Sequence, residues 1–157
     1  MKAFKNISGF TKLELLTVSC IMGVMAAIGA PSVSSMVPRY HLRSAARDLC
    51  SNMHLAKMTA IRENKKCRLT YSLNPDQYSI DCLNKTVVLS DYGKKIRFQG
   101  PGGKTFNKKF TLTFNSRGFS DQLYAYLSNG TDTAFYRVGP LWSGVIKLRK
   151  WNGKDWE

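Results

Sequence analysis

Gly9-Phe10-Thr11-Lys12-Leu13-Glu14 is the stretch that decides how this 157-residue chain is organised. It joins a short leader, residues 1–9, to a long apolar segment. The charged side chains of the leader are Lys2 and Lys5, and residues 15–38 contain no charged side chain. A helix of about 20 apolar residues is long enough to cross a bilayer. The sequence therefore predicts a transmembrane helix directly after the leader.

The small residue at the junction lies before the apolar segment. A secretory signal peptide has its small residues and its cleavage site after that segment. A peptidase that cuts after Gly9 would therefore leave the helix of residues 10–38 on the mature protein, and the net charge would fall from +14 to +12. Lys12 and the two leader lysines favour a cytoplasmic N-terminus, which places residues 39–157 across the membrane.

This junction, the basic leader, the apolar segment and Pro31 together resemble the type IV pilin superfamily. The resemblance implies that a bacterial prepilin peptidase cleaves between Gly9 and Phe10 and that Phe10 is then N-methylated. It also implies that Glu14 pairs with the positive amine of Phe10, on the same or a neighbouring subunit. An unpaired carboxylate in hydrocarbon costs several kcal/mol. The alternative for Glu14 is an interfacial carboxylate at headgroup level.

Beyond the apolar segment the predicted helix, residues 11–61, becomes amphipathic. Its apolar positions recur at steps of three and four, which is the spacing of one helix face. These positions are Leu42, Ala45, Ala46, Leu49, Met53, Ala56 and Ala60. Pro31 and Pro38 are expected to kink the helix. Arg39, Arg43 and Arg47 lie four residues apart, and they form either a solvated face or filament contacts.

After the helix the pattern changes to the alternation of β-strands. Asn74-Pro75-Asp76 is a turn signature. A hairpin folded about Asn74-Pro75 pairs residues whose numbers sum to 149, so that Tyr71 faces Tyr78 and Leu69 faces Ile80. In this register every apolar pair lies on one face of the hairpin and every polar pair on the other.

The same register predicts a disulfide. Cys67 and Cys82 face each other across the ladder, within the Cα separation of about 4.4–6.8 Å that a disulfide requires. Two buried free thiols are the alternative. Cys50 is interpreted as a small core residue, and Cys20, in the predicted span, as a reduced thiol. No cysteine spacing predicts a zinc site, and no metal or other cofactor is expected.

Further strands are predicted at residues 86–90, 94–98, 106–114, 123–128, 133–138 and 144–151. The turns at residues 115–118 and 129–132 indicate antiparallel hairpins. The expected class is α+β. The resemblance implies a pilin-like fold, in which a long N-terminal helix, transmembrane in its first half, packs on antiparallel sheet. Residues 39–157 then form one periplasmic domain, helical to about residue 62, on a single-pass protein of the bacterial inner membrane.

Residues 43–49, 55–64 and 112–118, with the closing basic strand, are similar to the minor pseudopilin H and minor pilin T family. The similarity covers nearly the whole chain. It implies a structural subunit that helps to prime or cap a type II secretion pseudopilus or a type IV pilus. The expected partners are the prepilin peptidase, other pilins or pseudopilins, and the inner membrane. The sequence does not separate the secretion system from the pilus.

The strongly basic composition gives an alternative function. Lys147, Arg149 and Lys150 are interleaved with tryptophans near the C-terminal end, a pattern that suits binding of a nucleic-acid backbone with base stacking. Seven more basic residues and no acid occur between residues 92 and 120, namely Lys94, Lys95, Arg97, Lys104, Lys108, Lys109 and Arg117. The alternative is therefore a pilus-tip minor pilin that binds DNA during uptake. A solvated strand face and an acidic protein partner also remain open.

An enzyme is the rival class, and the sequence does not favour it. The chain contains two histidines, His41 and His54, and both lie on the predicted helix. No Ser, Cys or carboxylate is spaced with a base as a nucleophile would need. There is also no phosphate-binding loop. A free, exported adhesin or toxin is a further alternative, but processing would have to remove the apolar helix.

Overall fold

The computed structural model describes residues 10–103, 110–130 and 134–157, and it leaves out the side chains of residues 29–35. Several sequence predictions lie outside these described residues. They are Gly9 with the rest of the leader, the side chain of Pro31, Lys104, Lys108, Lys109, and parts of the predicted strands and turn at residues 106–109 and 131–133. The chain forms two compact units, Met1–Val37 and Pro38–Glu157.

A single helix, α1 (Lys12–Arg62), contributes to both units. Thr11 is its N-cap, because the Thr11 hydroxyl accepts a hydrogen bond of 3.2 Å from the backbone N–H of Glu14. The helix ends in a Schellman motif. Asn64 has a φ of 53°, and the N–H of Lys65 donates to the carbonyl of Ala60 at 3.1 Å. A side-chain hydrogen bond therefore fixes the start of α1, and backbone hydrogen bonds fix its end.

The transmembrane prediction is wrong for the part of the chain that the structure describes. There, no helix is both long enough and apolar enough to cross a membrane. The first turn of α1 carries Lys12 and Glu14, and charged side chains raise the free energy of inserting a helix into hydrocarbon. The finding corrects the predicted fold class, the membrane keywords and the single-pass location in the inner membrane.

The apolar stripe of α1 is buried in the Pro38–Glu157 unit, as the periodicity predicts. All seven of its side chains are at most 1% exposed. They share one core with strand residues, among them Leu69, Leu112 and Leu127. Arg43 and Arg47, beside the stripe, are exposed. The structure is thus α+β, with the second half of α1 and antiparallel sheets around one core.

The first sheet has four antiparallel strands in the order β3-β2-β1-β4. These strands are β1 (Cys67–Leu73), β2 (Asp76–Ile80), β3 (Lys85–Val88) and β4 (Phe110–Phe114). The predicted hairpin register is confirmed, with Tyr71 opposite Tyr78 and Leu69 opposite Ile80. The ladder ends there because Asp81–Leu83 forms a turn of 3-10 helix. Cys67 and Cys82 are joined in a disulfide beyond this end, with their Cα atoms 5.3 Å apart.

The second sheet has three antiparallel strands in the order β5-β6-β7. They are β5 (Ala125–Ser128), β6 (Phe135–Pro140) and β7 (Ile146–Lys150). The expected hairpin across residues 115–118 is wrong, because β4 and β5 belong to different sheets. The turn itself is present, and Phe114 forms a single bridge with Ser120 instead.

The predicted strand at residues 94–98 is also wrong. Ile96 and Phe98 are buried, as alternation suggests, but the backbone pairs with a strand residue only through the bridge of Arg97 with Ser128. The N–H of Ile96 donates to Gly93 in a turn. The N–H of Phe98 donates to the Asp76 carboxylate at 3.2 Å. The alternating burial of these side chains therefore comes from their packing in the core, and the backbone of residues 94–98 does not form a β-ladder.

The disulfide should contribute strongly to stability. It closes a loop with a sequence separation of 15, for which loss of unfolded-state entropy corresponds to about 3 kcal/mol. Replacing Cys67 and Cys82 together by Ala is expected to lower the free energy of unfolding by about that amount, measured by chemical denaturation. Cys50→Ala is the control, because Cys50 is a free, half-buried thiol. A loss no larger than that of the control would contradict the expectation.

Tyr71 and Tyr78 form a matched pair for a second test. Both are 1% exposed. The Tyr78 hydroxyl accepts a hydrogen bond of 2.7 Å from Asn52, whereas the Tyr71 hydroxyl is buried with no partner among the described residues. The Tyr71 ring stacks on Phe110, with centroids 4.3 Å apart. The two phenols therefore differ in hydrogen bonding while their burial is the same.

Tyr71→Phe is expected to raise the free energy of unfolding by about 1 kcal/mol, because it removes an unsatisfied buried hydroxyl. Tyr78→Phe is expected to lower it by about 1 kcal/mol or more, because the Asn52 amide loses its partner. Urea denaturation of both variants measures the difference. Equal effects of the two substitutions would rule out this hydrogen-bond explanation.

Candidate functional site

The first part of α1 exposes an apolar surface on every side of the helix. Ten large apolar side chains between residues 10 and 28 are 44–79% exposed. They are Phe10, Leu13, Leu15, Leu16, Val18, Ile21, Met22, Val24, Met25 and Ile28. Helices with apolar residues all round are normally buried. We call residues 10–28, the start of α1 with the two residues before it, the apolar segment of α1.

Two of the predicted processing and assembly residues lie at the start of this segment. Phe10 is 79% exposed. Glu14 lies in the first turn of α1 with an exposed side chain. The Thr11 hydroxyl caps the helix by accepting a hydrogen bond from the backbone N–H of Glu14. The negative Glu14 carboxylate also interacts favourably with the positive end of the helix dipole. The sequence reasoning missed this capping role, although Thr11-x-x-Glu14 is its usual signal.

The predicted nucleic-acid residues do not share one face. The register of β6 and β7 places Lys147 opposite Gly139 and Arg149 opposite Arg137, so both basic residues lie on one face of the sheet. Lys150 lies on the other face, opposite Tyr136. The Arg149 guanidinium donates to the carbonyl of Trp156 at 3.2 Å.

Residues 151–157 fold back onto the end of β7, because Lys150 and Glu157 exchange two backbone hydrogen bonds of 2.7 and 2.9 Å. This brings Trp156 over Arg137, whose guanidinium lies 4.9 Å from the ring centroid. Trp151 and Trp156 pack on each other, with centroids 5.1 Å apart. Both rings therefore have neighbours within the fold. DNA binding at Lys147 and Arg149 stays a prediction, to which the structure adds Arg137 as a third cation on that face.

Cys67, Cys82 and Asp81 bring ligand-type atoms within 4.8 Å of one another. Their chemistry does not suit a metal ion. Both sulfurs belong to the disulfide, and only thiolates bind metals strongly. The Asp81 carboxylate accepts a 2.7 Å hydrogen bond from the N–H of Arg68. This cluster closes the hairpin end and is a structural feature.

A cavity of about 740 Å³ lies in the Pro38–Glu157 unit, between the end of β4 and the turns at residues 115–119 and 141–145. We call it the Trp142 cavity, because Trp142 lines it and is 69% exposed. Phe119, on the other turn, also lines it and is 52% exposed. In the sequence, Trp142 was counted only among the tryptophans interleaved with the basic residues near the C-terminal end, and it was not associated with Phe119.

Comparisons of the chain with protein-family models, with curated proteins and with solved structures find no match.

Gly144 is required by the turn that carries Trp142. Its φ is +73°, and a Cβ there would overlap the carbonyl oxygen of Gly118. Gly102 is the matched control, because its φ is +70° and an added Cβ would meet nothing described within 4 Å. The two positions therefore share the backbone requirement, and only Gly144 also has a steric one.

Gly102→Ala is expected to lower the free energy of unfolding by about 1–2 kcal/mol, the cost of a left-handed L-residue. Gly144→Ala should lower it by about 2 kcal/mol more, because the two turns must move apart. Thermal and urea unfolding of the two variants measure the difference. Equal losses would show that the contact between the turns does not constrain Gly144.

Proposed function

We propose that this chain is a structural subunit of a filament of the minor pilin or pseudopilin class. It would help to prime or cap a type II secretion pseudopilus or a type IV pilus. The observation that carries the proposal is the apolar segment of α1, which is exposed on all sides and has Glu14 as its one acidic residue.

The size of the exposed surface supports association. Burying one large aliphatic or aromatic side chain contributes about 1.5–3 kcal/mol. Ten such side chains are exposed here, so covering the segment would release on the order of ten kcal/mol or more, before the costs of association. Proteins are stable by about 5–15 kcal/mol in total, and an uncovered surface of this size is a strong force for assembly.

The charges at the start of the segment favour like helices as the covering partner. Cleavage after Gly9 would create one positive amine at Phe10 for each carboxylate at Glu14. A carboxylate that is buried without a partner is strongly unfavourable, whereas one that meets an amine is compensated. A bundle of copies, or of similar subunits, supplies that amine at the same level as the carboxylate and covers the apolar side chains.

This proposal predicts the processed start of the protein and the effect of one substitution. Mass spectrometry of the chain from its native cells should find Phe10 as the first residue. Glu14→Gln should lower the fraction of the chain recovered in sheared filaments by at least about tenfold, because the amine would lose its charged partner. A native product that keeps Met1 would exclude the proposed function.

The matched control is Glu63→Gln. Glu63 is an exposed carboxylate just after α1, outside the apolar segment, and it pairs with Arg62 at 3.4 Å. An exposed pair of this kind contributes little, so this variant should enter filaments as the wild type does. If Glu14→Gln and Glu63→Gln were incorporated equally, pairing of Glu14 with the amine would be disproved.

A further inference from the structure

The Trp142 cavity is a second surface that the filament proposal does not use. Its volume of about 740 Å³ lies within the range of about 300–1,000 Å³ that is usual for small-molecule sites. Ligand sites combine apolar walls with a few placed polar groups. The cavity has both apolar walls and polar groups.

Phe119 and Trp142 form the apolar walls, and both belong to turns that are held by hydrogen bonds. The Asn115 side-chain oxygen accepts from the N–H groups of Arg117 and Phe119, both at 3.0 Å. The turn of Trp142 is closed by a 2.9 Å bond from Leu141 to Val145. These contacts hold the backbone on either side of the cavity, so a ligand would meet a largely formed site.

The Lys57 ammonium adds a link from α1, because it donates to the carbonyl of Gly144 at 3.0 Å. The contact point of Gly144 with Gly118 joins the two turns directly. The two exposed aromatic rings, Phe119 and Trp142, therefore lie on turns that contact each other and α1.

The polar groups of the cavity indicate a neutral, hydroxyl-rich ligand. The described lining has one cation, Lys66, and one carboxylate, Asp121, so its charges balance although the whole chain carries +14. Three hydroxyls, those of Thr113, Ser120 and Ser143, complete the lining with the Asn115 amide. A polyanion such as nucleic acid would meet a carboxylate here and would be favoured at more basic surfaces.

An added peptide strand is also disfavoured. β4 is the edge of the four-stranded sheet and borders the cavity. Peptides that extend a sheet need the unpaired backbone of such an edge. Next to the cavity, the bridge from Phe114 to Ser120 already occupies that edge.

We propose that the Trp142 cavity binds a neutral oligosaccharide of two or three sugar units. The apolar faces of the sugar rings would stack on Trp142 and Phe119. Asp121 would accept hydrogen bonds from ring hydroxyls, and Lys66 would donate to hydroxyl or acetamido oxygens. Stacking on the aromatic rings would supply affinity, and the hydrogen bonds to sugar hydroxyls would orient the ligand and provide specificity.

The test is calorimetric titration of the full chain with two neutral probes, cellotriose and N,N′,N″-triacetylchitotriose. At least one probe should give saturable binding. Trp142→Ala should weaken that binding by at least about tenfold, through loss of the main stacking surface. Tyr40→Ala is the matched control, because Tyr40 is a 67% exposed aromatic residue on α1 and does not line the cavity. This control should bind as the wild type does.

Circular dichroism and an intact Cys67–Cys82 disulfide would show that the Trp142→Ala variant is folded. Absence of saturable binding by the wild type with both sugars would overturn the proposal. Equal affinities of the wild type and Trp142→Ala would also overturn it. So would binding of a dT10 oligonucleotide that depends on Trp142 while neither sugar binds, because the cavity would then belong to nucleic acid.

Discussion

Burial of the alanine-rich stripe of α1 is the interaction on which the Pro38–Glu157 unit depends. Four of its seven side chains are Ala, and these small residues let strand side chains approach the helix backbone closely. The stripe shares its core with residues of both sheets, so it is the common surface between strands that do not pair with each other. The turns that carry Phe119 and Trp142 connect the ends of those strands. Their spacing, and with it the cavity, follows from how both sheets pack around this stripe.

Polar contacts fix the register of the helix along the first sheet. The Asn52 amide donates to the Tyr78 hydroxyl at 2.7 Å, and its oxygen accepts from Lys85 at 3.0 Å. The Tyr92 hydroxyl donates to the Asp48 carboxylate at 2.7 Å. Burial raises the pKa of Tyr78 to about 12, so the phenol keeps its proton throughout the neutral range. Apolar contacts are not directional and would allow α1 to shift along the sheet. The hydrogen bonds are directional and fix α1 in one register.

Helical periodicity and strand alternation predicted those parts of the fold that depend on residues close together in the sequence. The period of α1 identified its buried face. The alternation around Asn74-Pro75 gave the hairpin register that brings Cys67 close to Cys82, because a slip by one residue would expose every apolar side chain. Residues 94–98 have the same alternation but do not form a strand. The N–H of Phe98 donates to the Asp76 carboxylate and not to a neighbouring strand. The division into two sheets and the return of Trp156 over Arg137 depend on distant partners. No spacing along the sequence specifies those partners, and for the same reason Trp142 and Phe119 were not recognised as one site.

The apolar segment of α1 and the Trp142 cavity differ in whether they need a second subunit, so their proposed functions can be tested separately. Within the described residues, the large side chains of the apolar segment of α1 are exposed. In the proposed filament they would be covered by other subunits, and the one carboxylate of the segment, Glu14, would select the partner. The Trp142 cavity needs no assembly, because hydrogen bonds within the Pro38–Glu157 unit hold its walls. Loss of Glu14 pairing would leave the cavity intact, and loss of Trp142 would leave the apolar segment unchanged. In the proposed filament, the proposed sugar site would already be formed before the subunit joins other subunits.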